Sequence, residues 1–261
     1  MSAELGTEQA AVLIGSPRNY VANLESGRTG VSAARVRAIA SSYGGIDDAW
    51  SNGLAALTAE RGEGWWERDR GTVPDGFLDI AEMEWFACGL RVALSVHLPG
   101  LLQTEEHARA LFGAVFPPLS EEAREARIAH RLGRSQVLDR PDPPLLEMVI
   151  HEAALRMEFG GRLVAKRQLT RILDVSERDK VQIRVIPFAV GAFPGAGQSV
   201  TYAKGAAPQL DTALLDSTHG PEFMSSDAQL RKYALQIDAM VEVALPHVAS
   251  RDFIHKIVNE L

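Results

Sequence analysis

The chain has 261 residues, 46% hydrophobic and 23% charged, with 22 Gly, 13 Pro and one Cys, a composition that excludes disorder and collagen-like repetition. Its length allows two unequal domains, since single cores stop growing near about 250 residues. A net charge of −7 excludes a large uniform polyanion-binding surface but leaves room for a small local one.

Residues 7–44 read as three short helices, TEQAAVLIG, SPRNYVANLESG and VSAARVRAIASSYG. Thr7, Ser16 and Ser32 are suited to N-cap positions and Pro17 to the first helical position, while Gly15, Gly27 and Gly44 fall where left-handed caps belong. Val12, Tyr20, Val21, Leu24, Val36 and Ile39 recur at three- and four-residue spacing, which predicts an apolar stripe on each helix. A fourth helix is expected in IDDAWSNGLAALTAE, with Asp47 and Asp48 at its start. RGEGWWERDRGTVPDG, residues 61–76, reads as a connector rich in Gly, Pro and charge. Beyond it helices are expected near 77–90, 104–115, 120–138, 161–177, 226–245 and 250–260. Strands are expected at LLEMVIH (145–151), VQIRVIPF (181–188), SVTYAK (199–204) and DTALLD (211–216), with RVALSVHL (91–98) ambiguous. Helices mixed irregularly with short strands give an α+β fold: a small all-α head over residues 1–60 and a mixed domain over 77–261.

The tight Gly15-Ser16-Pro17 turn between two short helices is the spacing of a helix-turn-helix. The segment TEQAAVLIGSPRNYVANLESGRTGVSAARVRAIASSYG resembles the Xre-type, phage repressor and Cro-like, DNA-binding module. The resemblance implies that SPRNYVANLESG is the recognition helix, that Arg18, Asn19 and Asn23 face base edges with Pro17 at the DNA-binding start of the helix, and that Arg28 and Thr29 lie against phosphates. Arg can grip guanine and Asn adenine in a bidentate way, while phosphate contacts set register. The family's usual first helix, whose Arg pairs with the Glu corresponding to Glu25, has no counterpart ahead of Thr7, so the head is expected to be truncated at its start. A solvated face is the other reading of the same polar positions.

From about Gly64 onward the chain resembles the uncharacterised, antitoxin-like C-terminal domain that follows Xre modules in actinobacterial regulators. Its marks are GWWERD, AEMEWFA, LPGLLQTEEHARALF, RIAHRLGRSQVLDRPDPPLLEMVIHEAALR, GGRLVAKRQLTRIL and VQIRVIPFAVGAFPG. The family implies a transcriptional regulator, expected as a symmetric homodimer on double-stranded DNA, with a body serving dimerisation, a small-molecule signal or a small protein encoded nearby; the single cysteine makes the cytoplasm the expected compartment. The alternative is an antitoxin-like interaction module whose DNA binding is weak or lost. No cofactor, catalytic residue or membrane attachment comes with the resemblance.

Within this body Arg124, Arg127, Arg131 and Arg134 are spaced three, four and three apart, so they share a helical face. They form either a stripe for an anion or acidic partner, extended by Arg140, or a solvated face balanced by Glu121, Glu122 and Glu125. The Pro99-Gly100 turn, followed by a helix capped by Thr104, is either a hinge or part of a pocket wall. Trp65 and Trp66, about 100° apart on a helix, read as an anchor, or one of them as a ligand-stacking ring.

Motifs of catalysis fall short. HEAAL (151–155) has Leu155 where a zinc protease needs its second His. GAFPGAGQSV has Val200 where a dinucleotide loop needs Gly, and neither a P-loop nor a GxSxG elbow occurs. Cys88 cannot form an intramolecular disulfide or a CxxC metal site; it reads as a small core residue, with pairing to a His as the catalytic alternative. The absence of a long apolar run and of basic residues in MSAELGTEQA leads us to expect neither a membrane span nor a signal peptide.

Overall fold

The computed structural model describes residues 5–26, 28–43, 47–59, 64–217 and 219–261. The chain forms two compact units, one within Met1–Gly64 that takes in Ala206–Leu210, the other Trp65–Gly205 with Asp211–Leu261.

The first unit contains α1 (Thr7–Leu13), α2 (Arg18–Glu25), α3 (Ala33–Tyr43) and α4 (Asp48–Ala59). Its small core is Ala10, Ala11, Ile14 and Val21, with Ile39 and Tyr43 of α3 against them. Val12, expected on the apolar stripe, is instead 81% exposed. The adjacent alanines at 10 and 11 are buried and turn the helix about 100° away from that expectation. The caps also shift by one residue: Gly6 and Pro17, rather than Thr7 and Ser16, are the N-caps of α1 and α2. The Gly6 N–H is met by the Gln9 side chain at 3.0 Å. Ser32 does cap α3, accepting from the Arg35 N–H at 3.3 Å. Gly15 takes φ +62° in a Schellman turn, with Gly15 N–H on Val12 O and Ser16 N–H on Ala11 O. Gly27 and Gly44, expected as helix-ending glycines, lie outside the described residues, as do residues 61–63 of the expected connector.

The second unit contains α5 (Asp75–Phe86), β1 (Gly89–Leu94), α6 (Glu105–Gly113), α7 (Glu121–Arg134), β2 (Leu145–His151), α8 (Glu152–Arg156), α9 (Arg162–Val175), β3 (Val181–Ile186), β4 (Val200–Lys204), β5 (Thr212–Ser217), β6 (Gly220–Met224), α10 (Asp227–Val243) and α11 (His247–Glu260). The strands form one sheet in the order β3-β2-β1-β4-β5-β6. β1, β2 and β3 are parallel neighbours; β4, β5 and β6 continue antiparallel from β1. The fold is α+β, and the strand that was ambiguous in sequence is central to the sheet.

One face of the parallel half, with Met148, Ile150, Ile183 and Val185, is covered by Leu169 and Ile172 of α9 and by Ile254 and Ile257 of α11. The opposite face, with Ala93, Val149, Ile186 and Val200, is covered by Ile237 and Met240 of α10. The β3 edge is occupied: Leu245 N–H bonds Val185 O at 2.8 Å, and Val185 N–H bonds the Ser250 hydroxyl at 2.9 Å. Among the described residues no helix is long and apolar enough to cross a membrane.

Several local expectations change. Residues 65–76 are not a free connector, because Trp65–Asp69 forms a 3₁₀ helix of the second unit. Trp66 is buried against Trp85 and Phe86, and Trp65 lies over Gly133 of α7, where a Cβ would come within 2.7 Å of the indole. β6 and α8 were not anticipated. Gly220 and Pro221 hide the strand signal of GPEFM, and an edge strand tolerates the missing N–H. Cys88 is exposed and lies in the turn after α5, not on a helix or in the core.

Candidate functional site

In the first unit, Pro17, Arg18, Asn19 and Arg28 are exposed, while Asn23 and Thr29 are half-buried. Arg18 and Asn19 occupy the first turn of α2 and Asn23 follows one turn after Asn19, so the two Asn share a face. The Asn23 carbonyl accepts from the Arg28 N–H at 2.9 Å and the Thr29 N–H at 3.3 Å, which fixes these two residues against the end of α2. The turn before α2 is braced from α3: the Arg35 guanidinium donates to Ile14 O at 3.3 Å and to the Ser16 hydroxyl, and lies 5.9 Å from the Tyr20 ring. Glu25 is held by the Thr7 hydroxyl at 3.0 Å.

In the second unit, the four arginines of α7 divide into pairs. Arg124 is 3.7 Å from Glu125, and Arg127 lies over the Phe77 ring at 5.3 Å. Arg131 and Arg134, one turn on, turn into a cavity of about 310 Å³ between α7, α5, the Pro99-Gly100 turn and the sheet. The Pro-Gly turn is thus part of a cavity wall, and Arg140 goes elsewhere, over Trp85 at 4.9 Å.

Sheet register builds the cavity floor. Met148, Val92, Thr201 and Leu214 are successive partners across β2, β1, β4 and β5, so their side chains share one face, and all four line the cavity. At its polar end Arg134 donates twice to Glu84, at 2.8 and 2.5 Å. The two side chains are only 11% and 6% exposed, a desolvated bidentate pair. Burial disfavours the Arg134 charge, but the Glu84 carboxylate more than restores it, so its pKa rises. Arg131 has no carboxylate at ion-pair distance among the described residues. It donates to the Gln103 amide oxygen at 2.8 Å and lies 5.1 Å from the Phe112 ring. Burial, then the Arg134 charge, pull its pKa down to about 9 despite Glu84 and Asp216.

The turn itself is held by two buried amides. Gln103 donates to Leu98 O at 2.8 Å. Gln168 of α9, fully buried, donates to Leu102 O at 2.8 Å and accepts from Thr104 N–H at 2.7 Å. Neither Glu84 nor Gln103 was singled out in the sequence. The available signal was Glu84 itself, an acid four residues after buried Ile80 on the inner stripe of α5; a carboxylate there demands a buried cation.

Of the other chemistry-bearing residues, His151, Glu152 and His130 have structural partners. His151 caps α8, accepting from Ala153 N–H at 3.3 Å, and Glu152 bonds Arg156 and the Phe188 N–H. His130 bonds Asp69 at 2.8 Å and Phe77 O at 3.0 Å. His107 is buried with neither ring nitrogen hydrogen-bonded; burial, followed by the charges of His97 and Arg131, pushes its pKa down to about 4. Cys88 borders a second cavity of about 410 Å³ that has no His in its lining. Among the described residues no group of three or more His, Cys, Asp or Glu could hold a metal ion.

Residues 77–256 match the family model described as a domain of unknown function, DUF5753. No curated protein and no solved structure matches the chain.

Proposed function

Since the chain belongs to the DUF5753 family and carries four helices, α1 to α4, ahead of the matched residues, we propose that it is a sequence-specific DNA-binding transcriptional regulator of Xre type. It acts as a symmetric dimer, with α2 of each subunit in the major groove. The observation that carries the reading is the first turn of α2, where Arg18 and Asn19 are exposed and make no side-chain hydrogen bond among the described residues, behind a turn that Arg35 and a Schellman motif make rigid. Their guanidinium and amide groups match guanine and adenine edges, Asn23 extends the same surface by a turn, and Arg28 and Thr29 supply phosphate contacts.

The unit is close to neutral: over residues 1–46 four arginines face three glutamates, so the excess acid lies in the rest of the chain. Affinity per subunit is therefore modest and salt-sensitive, and dimerisation multiplies it. The test is a footprint on the region upstream of the protein's own gene. Arg18→Ala and Asn19→Ala each lose roughly 1–3 kcal/mol of specific binding, whereas Arg28→Ala weakens binding to all sequences and lowers the salt slope by about 1. Absence of any footprint, or unchanged affinity and sequence preference in both α2 variants, overturns the reading in favour of an interaction module without DNA.

A further inference from the structure

The cavity beside α7 combines an apolar floor with a cation, Arg131, that has no carboxylate at ion-pair distance among the described residues. Of its two inner arginines, Arg134 is neutralised by Glu84 through two hydrogen bonds. Arg131, one turn earlier, has a neutral amide and an aromatic ring for partners. A cation taken out of water without an anion is costly, and a protein that keeps one at a cavity wall gains when an anion arrives.

We propose that this cavity is the binding site for a small organic carboxylate, with the carboxylate on the Arg131 guanidinium and the apolar body over Val92, Met148 and Leu214. The volume, about 310 Å³, is at the small end of ligand pockets, and its build of apolar walls with a few convergent polar groups is that of a ligand site. The planar guanidinium fork suits a carboxylate in particular. Thr201, whose hydroxyl makes no hydrogen bond among the described residues, stands on the floor between the apolar side chains and offers a further donor. Charge favours a monoanion: Glu84 and Asp216 already balance Arg131 and Arg134 in number, so a carboxylate brings one negative charge to the Arg131 guanidinium whereas a dianionic phosphate brings two beside two carboxylates. Gln103 couples the site to the 98–104 segment, because its amide joins Arg131 to the Leu98 carbonyl. The site lies wholly within the second unit, so the proposal stands or falls apart from the DNA reading.

The test uses the full chain without DNA and three probes of matched chain length, 3-phenylpropanoate, 3-phenylpropanamide and 2-phenylethylphosphonate as the phosphate analogue, titrated by calorimetry. The acid is expected to bind saturably, with the amide and phosphonate each weaker by about tenfold or more, the size of a charged hydrogen bond. Arg131→Met is expected to lose acid binding by a similar factor while melting no lower than the parent, since it removes a desolvated charge whose direct hydrogen-bond partner is a neutral amide. Arg124→Gln, outside the cavity, leaves binding unchanged. Asp216→Asn, which removes a repelling carboxylate, tightens it and decides the matter even if Arg131→Met does not fold. Lack of saturable acid binding, equal binding of acid and amide, undiminished binding by Arg131→Met, or weaker binding by Asp216→Asn overturns the proposal.

Discussion

The two halves of the sheet are built to different standards of closure. In the parallel half β1 and β2 are largely buried on both faces, under α9 and α11 on one side and α10 on the other, and β3 is buried on the α9 and α11 side with Ile186 under α10. In the antiparallel half β5 and β6 carry Asp216, Ser217, Gly220 and Pro221, and the same face that α9 and α11 seal elsewhere opens into the cavity under Arg131. Parallel strands must be covered on both sides and so are written in Val, Ile and Leu, whereas an antiparallel extension tolerates polar residues and leaves space. A binding site can arise where the apolar pattern runs out without weakening the part that holds the domain together.

The largest test of that contrast compares core truncations. Ile183→Ala, at a fully buried position of β3, is expected to cost roughly 3–4 kcal/mol in denaturant unfolding. Leu214→Ala, whose side chain already borders the cavity, is expected to cost about half as much; equal costs would erase the distinction. Next comes acid sensitivity. His107 is neutral in the fold, with a pKa near 4 against an ordinary 6.5. As pH falls from 6.5 towards 4 the unfolded chain gains a proton that the folded one refuses, so stability falls across that window, by up to about 3 kcal/mol, and is unaffected above it. His107→Leu is expected to flatten this limb of the stability-pH curve, and an unchanged limb would assign it to other groups. Gln168→Ala strands Thr104 N–H and Leu102 O and is expected to cost about 2 kcal/mol. Hydrogen exchange should place the loss in residues 98–104. Smallest is Phe223→Ala on the edge strand, 38% exposed, expected to cost about 1 kcal/mol or less.

The same contrast governs what the sequence made legible. β2 and β3 could be read almost to the residue, β2 because it is a short, mostly apolar run and β3 because its Val and Ile residues alternate with Gln182 and Arg184, each bounded by turn residues. β6 could not, because its Gly, Pro and Glu carry no strand signature and only pairing with β5 makes GPEFM extended. The arginine spacing on α7 was readable as a face. Which arginines that face would bury was not, since it depends on Glu84, fifty residues earlier, and on a turn clamped by Gln103 and Gln168. In the first unit the spacing of Val12 fitted a stripe, but the compact Ala10-Ala11 side made the core instead. Short amphipathic helices with alanines at competing positions leave that choice to tertiary contacts.

The backbone of residue 245 and the hydroxyl of Ser250 on β3 have a consequence for self-association. A sheet grows by adding strands to free main-chain donors and acceptors, and on this flank those of Val185 are already occupied. At the opposite flank Pro221 removes one donor from a strand of only five residues. The sheet thus offers a poor template for another copy's strand at high concentration.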